Sequence, residues 1–380
     1  MKILLTNFHR GRGGGHDTYI LAIAQALSPQ HRIFVAAPAT SRLFMQAGAS
    51  PGVTTFPIDF SAKFKDLAKL PGEYRALRGL LERERFDVIH VNGSPDHRLV
   101  MLVMLAWKGK RPRIVLTKHN SIRIKHDFLT RLRATRATDD VIAVSDSTAQ
   151  LMRESVYGRC PVTVIKNGID TVGRYAPRDP QAAAQQRGAL LGPRAGDRLV
   201  IGTVTGFDWY KGTMGMIEAV AALPEPLRDE VMVVVAGVEP NAEQRQQIEA
   251  LGMSGRVHVA GFVEDVPNVI ASFDIGFVLS YAIETVSFAC REMMAMGKPV
   301  IVSRYAGLPE NIDDGVDGWI VEPRDTAGLS SLLQTIIAGR DRLPAIGARA
   351  RERAVHEFSD ERFIADTEEV YRQGGAARSV

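Results

Sequence analysis

The sequence has 380 residues, of which 45% are hydrophobic and 24% are charged, and its formal net charge is +4. This composition is typical of a folded protein of about two domains and excludes a disordered chain, which lacks apolar residues. The two cysteines, Cys160 and Cys290, lie far apart and in no CxxC pair, which excludes a disulfide scaffold and favours a reducing compartment.

The N-terminal residues MKILLTNF are too short for the apolar region of a secretory signal and run directly into a glycine-rich turn. The most apolar window, Leu99–Trp107, has about half the roughly 20 residues that a membrane-spanning helix needs. We therefore predict a cytoplasmic protein without a transmembrane segment.

Apolar runs alternate with helical patterns through the first half of the chain. Residues Thr18–Leu27 place four apolar side chains on one helix face. The other runs are short and rich in β-branched residues, as in parallel strands that are buried on both faces. We predict strands at Ile3–Leu5, Ile33–Ala36, Val88–Val91, Ile114–Thr117, Val141–Val144 and Val162–Ile165.

Residues 171–198 are polar and rich in Pro, Gly and Ala, and we interpret them as an inter-domain connection with a short helix. A second alternation follows. We predict its strands at Leu199–Val204, Val231–Ala236, Val257–Val259, Ile275–Leu279, Pro299–Val302 and Gly318–Val321. Alternating strands and helices imply parallel sheets. The predicted fold class is therefore α/β, with two Rossmann-like domains and a ligand site in the cleft between them.

The formal charge divides unevenly between these halves. Residues 1–170 carry 26 basic and 14 acidic side chains, a net charge of +12, whereas residues 171–380 carry 21 and 29, a net charge of −8. A basic half joined to an acidic half is typical of a protein that meets an anionic partner with its basic half. Composition drift without a functional cause is the alternative.

A glycine cluster, Gly11–Gly15, follows the first strand and opens a helix, which suits anion binding by backbone N–H groups. A dinucleotide-binding fingerprint would place a glycine at His16 and an acidic residue after the second strand, which ends at Ala36-Ala37-Pro38. Both features are missing, so an NAD enzyme is disfavoured. A tight turn without a ligand is the alternative for these glycines.

Residues 274–321 contain the most informative pattern. A strand ends at Leu279, a loop carries Glu284, and a helix that begins near Ser287 carries Glu292. Carboxylates accept hydrogen bonds from sugar and ribose hydroxyls, and the free N–H groups of a helix start suit a diphosphate. The segment therefore predicts a nucleotide-sugar site. The alternative is that both glutamates are solvated helix-end charges.

This segment resembles the E-x7-E region of the retaining glycosyltransferases of family 4, which have the GT-B fold. The similarity extends over most of the chain, and the glycine loop resembles the Gly-Gly-x-Glu helix start of that family, with Asp17 in place of Glu. Further similar segments are FDVIHVNGS (86–94), VLTKHN (115–120), VIAVSD (141–146), VTVIKNGID (162–170), IGTVTGFDWYKG (201–212) and VHVAGFVEDV (257–266).

The resemblance implies a role for each matching residue. Glu284 would contact the transferred sugar, Lys211 the diphosphate, and His119 the reacting sugar, although a satisfied loop histidine is the alternative for His119. Glu292 would bind the ribose. The remaining donor-binding positions are backbone N–H groups at Val286, Ser287 and Phe288, the base-flanking Phe262 and Val263, and Gly14 and Gly15, which would approach the phosphates or the acceptor.

Two departures from the family pattern stand out. The arginine that the family places five residues before the lysine is Gly206 here, and the Gly-Phe-Gly after the first glutamate is Thr285-Val286-Ser287. A charge-assisted hydrogen bond is worth roughly 1.5–3 kcal/mol, so another cation must replace the arginine or phosphate binding weakens. Arg12 and Arg291 are the basic residues near these motifs.

The predicted activity is a metal-independent, retaining hexosyl transfer from a nucleotide diphosphate sugar to a glycan or lipid-linked acceptor, in envelope polysaccharide or lipopolysaccharide synthesis. No cofactor is expected, and no residues have metal-ligand spacing; the pairs Asp139-Asp140 and Asp313-Asp314 are interpreted as turn and helix-end charges. The predicted acceptor domain is 1–170 with 359–380, because Phe358–Gln373 has helical spacing and by resemblance returns to the first domain. The predicted donor domain is 171–358.

The basic half also favours an anionic membrane surface as a partner, with a solvated helix face as the alternative. The candidate surfaces are Lys63-Phe64-Lys65 with Leu67 and Lys69, Lys108–Arg113, and Arg123–Arg136. Nucleic acid is not expected, since no zinc module, RNP-like string or helix-turn-helix is recognisable. The alternative functions are a nucleotide-sugar epimerase of the same fold and a non-catalytic sugar-nucleotide binder.

Overall fold

The computed structural model describes residues 1–11, 14–61, 68–192 and 195–373. The chain divides into two compact units. The first comprises Met1–Gly168 with Asp360–Val380, and the second comprises Ile169–Ser359. The last helix of the chain therefore belongs to the unit that contains the N-terminus.

The first unit is built on one parallel sheet, whose order is β3-β2-β1-β4-β5-β6-β7. Within the described residues its strands are β1 (Lys2–Thr6), β2 (Arg32–Ala37), β3 (Val53–Pro57), β4 (Val88–Val91), β5 (Arg113–Lys118), β6 (Asp140–Ala143) and β7 (Val162–Val164). Strands β4 and β6 are buried along their whole length because helices cover both faces of the sheet.

The helices of the first unit connect these strands and close the unit at the end of the chain. Among the described residues they are α1 (Gly15–Leu27), α2 (Arg42–Gly48), α3 (Leu70–Glu84), α4 (Ser94–Leu105), α5 (Phe128–Arg136), α6 (Asp146–Arg153) and, at the end of the chain, Asp360–Arg372. The last of these packs Phe363, Val370 and Tyr371 into the same apolar cluster as Ile20 and Ile23 of α1.

The second unit repeats the design with a six-stranded parallel sheet of order β10-β9-β8-β11-β12-β13. Its described strands are β8 (Leu199–Thr203), β9 (Val231–Ala236), β10 (Val257–Gly261), β11 (Ile275–Val278), β12 (Val300–Ser303) and β13 (Gly318–Val321). Its helices are α7 (Pro180–Leu191), α8 (Thr213–Ala221), α9 (Glu225–Asp229), α10 (Ala242–Ala250), α11 (Val266–Ala271), α12 (Phe288–Ala295), α13 (Thr326–Ala338) and α14 (Leu343–Glu357), so that Asp360–Arg372 is α15.

Two Rossmann-like parallel sheets were predicted from the alternating pattern, and this prediction is confirmed. Each predicted strand is present with its ends shifted by at most two residues. The structure has one further strand in its described part, β3, which the sequence analysis did not predict. Its residues Val53, Thr54 and Phe56 are only partly buried or exposed at the sheet edge, so the strand lacks the apolar run that reveals its neighbours.

In both sheets the strand order reverses beside the first strand of the unit, β1 or β8. The loops that follow two neighbouring strands diverge to opposite faces at such a point and leave a crevice beyond the carboxyl ends. The crevice lies between β1 and β4 in the first unit and between β8 and β11 in the second. None of the helices in the described part of the chain combines the length and apolar composition needed to cross a bilayer.

Candidate active site

The crevice of the second unit brings together two residues that the sequence predicts to act on the donor. Lys211 lies in the loop after β8 and Glu284 in the loop after β11. The Nζ atom of Lys211 donates to Oε2 of Glu284 at 2.8 Å, with 16% and 12% of the two side chains exposed. Glu284 is therefore not the solvated helix-end charge that the sequence left open as an alternative.

The backbone before Glu284 is in an uncommon conformation. Ile283 has a φ of 57° and exposes 72% of its surface, although β-branched residues rarely adopt the left-handed region. The hydroxyl of Ser280 donates to the same Glu284 oxygen at 3.2 Å. A strained turn and two hydrogen bonds thus hold this carboxylate beside Lys211.

The helix that follows offers backbone donors. Ser287 is the N-cap of α12, and its hydroxyl accepts from the N–H of Cys290 at 3.4 Å. Because the first N–H groups of a helix have no intrahelical partner, those at Phe288 and Ala289 remain available to an anion. Val286 and Ser287, the other two predicted backbone donors, are buried.

Glu292 lies in α12 and faces Tyr175, a buried tyrosine that precedes α7. The Tyr175 hydroxyl donates a hydrogen bond to the carboxylate. Burial raises the pKa of Glu292, while this hydrogen bond and the charge of Arg174 oppose the rise. The sequence analysis did not identify Tyr175, which lies in a turn after the VTVIKNGID segment and close to the domain boundary.

Phe262 and Val263 follow β10 in a turn that begins at Gly261, whose φ is 65°. The two side chains differ in accessibility. Phe262 is 83% exposed, whereas Val263 packs against the apolar cluster that contains α11 and α12. The ring of Phe262 is therefore accessible to an aromatic ligand.

The loop after β8 cannot hold a side chain at the position of the family arginine. Gly206 has a φ of 73°, and a Cβ atom there would lie 2.3 Å from the backbone nitrogen of Val238. A residue with a side chain would therefore be both strained and in collision with backbone.

Arg291, which the sequence analysis considered as a replacement for that arginine, proves to be a core residue. It is 1% exposed, its Nε donates to Oδ1 of Asn311 at 2.8 Å, and its guanidinium lies 4.3 Å from the ring centroid of Phe358. Since its side chain turns into the core, the idea that it replaces the phosphate-binding arginine is wrong. Arg12, the other candidate, lies outside the described residues.

In the first unit the glycine loop ends at α1. Gly14 is the N-cap of this helix in an extended conformation, and Gly15 is its first residue. A Cβ atom on Gly14 would meet nothing within 4 Å. Asp17 is buried in the first turn and accepts from Nδ2 of Asn7 at 2.8 Å, so it binds the end of β1.

His119 follows β5 and belongs to an aromatic cluster at the carboxyl ends of three neighbouring strands. Its Nε2 donates to Oδ1 of Asn92 at 2.9 Å. Its ring centroid lies 4.1 Å from that of His16 and 4.6 Å from that of Tyr19, and His16 in turn lies 4.6 Å from His9. The sequence analysis did not group these histidines, because His9 and His16 follow β1 whereas His119 follows β5, and the sheet order brings them together.

Burial keeps these histidines neutral. It lowers the pKa of His16 to about 4, and it lowers the pKa values of His9 and His119 as well. Neutral imidazoles offer one donor and one acceptor each. The cluster can therefore bind polar groups without adding positive charge.

A cavity of about 360 Å³ opens beside this cluster, still within the first unit. Its walls include His9, His16, Asn92 and His119, together with residues of α5 and the segment before it. In the described part of the chain, no group of three or more His, Cys, Asp or Glu residues is arranged to hold a metal ion.

Four residues of the proposed basic membrane surface, Lys63, Phe64, Lys65 and Leu67, lie outside the described residues. Elsewhere, Arg111 pairs with Asp139 at 2.6 Å and Arg113 with Asp140 at 2.7 Å. The Asp139-Asp140 pair therefore compensates the charge of two arginines in the Lys108–Arg113 surface.

Two family models match the chain. Residues 13–172 match the model described as Glycosyltransferase Family 4, and residues 192–353 match the model described as Glycosyl transferases group 1. The first range ends at residue 172 and the second begins at residue 192, so most of the predicted inter-domain connection, 171–198, lies between them.

Individual proteins with similar sequences or folds have related descriptions. N-acetyl-alpha-D-glucosaminyl L-malate synthase of Bacillus anthracis is 25% identical over 76% of this chain and 75% of its own length. The lipopolysaccharide core biosynthesis glycosyltransferase LpsE of Rhizobium meliloti is 28% identical over 68% of this chain and 72% of its own. HepE of Anabaena, solved in complex with UDP, has a TM-score of 0.84 at 22% identity over 98% of this chain and 100% of that chain.

Proposed function

The chain belongs to the glycosyltransferases of the family 4 and group 1 type, and we propose that it moves a hexosyl group from a nucleotide diphosphate sugar to a glycan or lipid-linked acceptor. The donor is assigned to the second unit and the acceptor to the first. The observation that carries this proposal is the Lys211–Glu284 pair in the crevice of the second sheet.

Lys211 has the charge and the position to stabilise the leaving diphosphate. Negative charge develops on the phosphate oxygen as the glycosidic bond breaks, and a fixed cation there lowers the barrier. In the free protein Glu284 compensates this lysine at 2.8 Å. Binding of the donor would bring the diphosphate to Lys211 and leave Glu284 to accept hydrogen bonds from the hydroxyls of the sugar.

The helix start beside the pair adds uncharged donors. The N–H groups at Phe288 and Ala289 have no intrahelical partner, and the positive end of α12 favours an anion. These donors would assume part of the role of the arginine that Gly206 replaces. Because they are backbone groups, their position does not depend on long flexible side chains.

Glu292 and Phe262 would bind the nucleoside of the donor. A carboxylate has lone pairs enough to accept from Tyr175 and from two ribose hydroxyls at once. The exposed ring of Phe262 offers a surface on which a base stacks. The solved complexes of HepE with UDP and with UDP-glucose, which have TM-scores of 0.84 and 0.80 to this chain, support a nucleotide sugar as the donor.

The acceptor is assigned to the cavity that contains His119. An acceptor hydroxyl at this cluster would meet neutral imidazoles. The similarity to LpsE, a lipopolysaccharide core biosynthesis glycosyltransferase, favours an anionic envelope glycan such as lipopolysaccharide as the acceptor. The net charge of +12 of residues 1–170 favours it as well. Retention of configuration follows from the family resemblance, and no nucleophile is assigned.

The test is incubation of the full chain with UDP-, GDP- and ADP-glucose and an envelope lipid extract, with products identified by mass spectrometry. Glu284→Gln should abolish transfer while the protein remains folded. The control is Glu84→Gln in the first unit, which removes a carboxylate that also pairs with a lysine, Lys2, at 3.2 Å. Transfer that survives in Glu284→Gln would contradict the site.

One observation favours a non-catalytic sugar-nucleotide binder as the second candidate. Gly206 removes a guanidinium from the place where the leaving phosphate needs charge, and the backbone there leaves no room for a replacement. In that case the protein would bind a nucleotide sugar but release neither glycosylated product nor nucleotide diphosphate. Calorimetric binding combined with product analysis separates the two candidates.

A further inference from the structure

Among the described lining residues of the cavity in the first unit, Lys and Arg occur but Asp and Glu do not. The four cationic side chains of the cavity are those of Lys118, Arg123, Lys125 and Arg133. Arg123 and Lys125 are exposed at its mouth. Lys118 and Arg133 are partly buried in its wall, so their hydrogen bonds and charges bear on what the cavity can bind.

Arg133, in the last turn of α5, has an incompletely satisfied guanidinium. Its Nη2 donates to Oγ1 of Thr130 at 3.0 Å, but its Nε is buried without a hydrogen-bond partner, and it forms no ion pair within the described residues. The carboxylate of Asp127 lies within its electrostatic reach but is occupied as the N-cap of α5, where it accepts from the N–H of Thr130 at 2.7 Å. A buried donor without a hydrogen-bond partner is destabilising, and an anion in the cavity would supply that partner.

Lys118 ends β5 and is close enough to Arg133 to be affected by its charge. Its Nζ donates to Oδ1 of Asn120 at 2.7 Å, so two of its three N–H groups remain for a ligand. Burial and the positive charge of Arg133 lower the pKa of Lys118 to about 8. Two like charges held together in a partly desolvated wall repel each other, and an anion between them relieves that repulsion.

We propose that this cavity binds an anionic substituent of the acceptor, a phosphoryl or carboxylate group, through Lys118 and Arg133. The inference rests on the proposed function, because it names the class of acceptor that the transferase would take. A volume of about 360 Å³ suits one substituted sugar residue of that acceptor. The neutral histidines at the other end of the same cavity would meet the acceptor hydroxyls.

The experiment measures binding of three matched probes to the full chain by titration calorimetry. Glucose 6-phosphate carries a phosphoryl group, glucuronate carries a carboxylate, and glucose carries neither. We expect at least one charged probe to bind about tenfold or more tightly than glucose. Arg133→Gln and, independently, Lys118→Gln should weaken that probe by on the order of tenfold to a hundredfold.

Arg131→Gln is the matched control, since Arg131 is an exposed arginine two residues earlier on α5 and does not line the cavity. It should bind the probes as the wild type does. Preference for glucose 6-phosphate over glucuronate identifies a phosphoryl group, and the reverse identifies a carboxylate. Equal binding of charged and neutral probes, no binding of any probe, or unchanged binding in both variants overturns the proposal.

Binding of UDP to the same preparations reports on the second unit separately. If UDP binds normally while the charged probes do not, the acceptor class is wrong and the proposed transferase stands. If UDP and the other nucleotide diphosphates fail to bind in every preparation, the donor assignment has failed instead. The unfolding temperature of Arg133→Gln, compared with that of Lys118→Gln, shows whether the buried arginine is also needed for stability.

Discussion

The two units arrange their strands in the same manner but equip their crevices with different chemistry. In the second unit Lys211 is matched by Glu284 at 2.8 Å. In the first unit Lys118 and Arg133 line the same cavity, and the described lining contains no carboxylate. The net charge of +12 of residues 1–170 agrees in sign with this cationic lining. The shared sheet positions the loops, and the loop residues decide what each crevice can bind.

The largest difference between the two units is expected when the lysine of each crevice, Lys211 or Lys118, is replaced in a separate variant. Lys211→Met should lower kcat by on the order of 10²–10³, because it removes the charge that stabilises the leaving group. Lys118→Met should mainly raise the KM for the acceptor. Steady-state kinetics with both substrates varied checks this, and a similar split of effects in the two variants would contradict the division of labour.

The two glycine loops should also respond differently to the same change. Gly206→Ala should lower the free energy of unfolding by about 1–3 kcal/mol, because it forces a side chain into a left-handed conformation, with the contact to Val238 adding to this cost. Gly14→Ala should cost less than about 1 kcal/mol, since its backbone is extended and its surroundings are open. Urea denaturation of both variants measures the difference, and equal losses would contradict the described geometry.

The charge of the first cavity should depend on pH through Lys118. Lys118 is protonated below its pKa of about 8 and loses its charge above it, so the KM for a phosphorylated or carboxylated acceptor should rise by up to about tenfold per pH unit above pH 8. Three groups that line the same cavity do not titrate in this window, because burial holds the pKa of His97 at about 3 and that of His119 well below its usual value, and raises the pKa of Tyr157 to about 12.

A pH profile of KM from pH 7 to 10 checks this expectation. A phosphoryl group, whose second pKa is about 6, is already a dianion throughout that range. Lys118→Arg should remove the rise, because an arginine stays protonated. A rise that persists in Lys118→Arg would assign the titration to another group.

The smallest expected effect concerns the ribose contact of the second unit. Tyr175→Phe removes the hydroxyl that hydrogen-bonds Glu292 and thereby raises the pKa of that buried carboxyl further. A protonated carboxyl is a weaker acceptor, so UDP affinity should fall by less than about tenfold, and more at pH 5.5 than at pH 8. Calorimetry with UDP and with 2′-deoxy-UDP checks this, and an equal loss for both nucleotides would contradict a contact to the 2′-hydroxyl.

The sequence was sufficient to predict most of the fold because buried parallel strands are continuous apolar runs with turns at their ends. Strands β4, β9 and β13 occur at the predicted residues. β3 was missed because an edge strand is exposed along one side and needs fewer apolar residues. Its polar Thr54 and Thr55 are compatible with a loop as well as with a strand.

The candidate site was partly predictable for a related reason. Lys211 and Glu284 belong to compact motifs, so each was identified locally, and the sheet order then brings them together. The partners of His119 follow other strands, and no local pattern connects them. Arg291 was only a candidate replacement for the missing arginine, and proximity in sequence does not reveal that a side chain on α12 turns inward to Asn311.

Helix α15 has a consequence for the order in which the protein can be made. It supplies Phe363, Val370 and Tyr371 to the core of the first unit, and it is tied there by Tyr371 to His90 at 2.5 Å and by Glu368 to His31 at 2.6 Å. A ribosome makes the first 168 residues before the second unit, and it makes α15 after that unit. The first unit therefore cannot close its core until all residues of the second unit have been made.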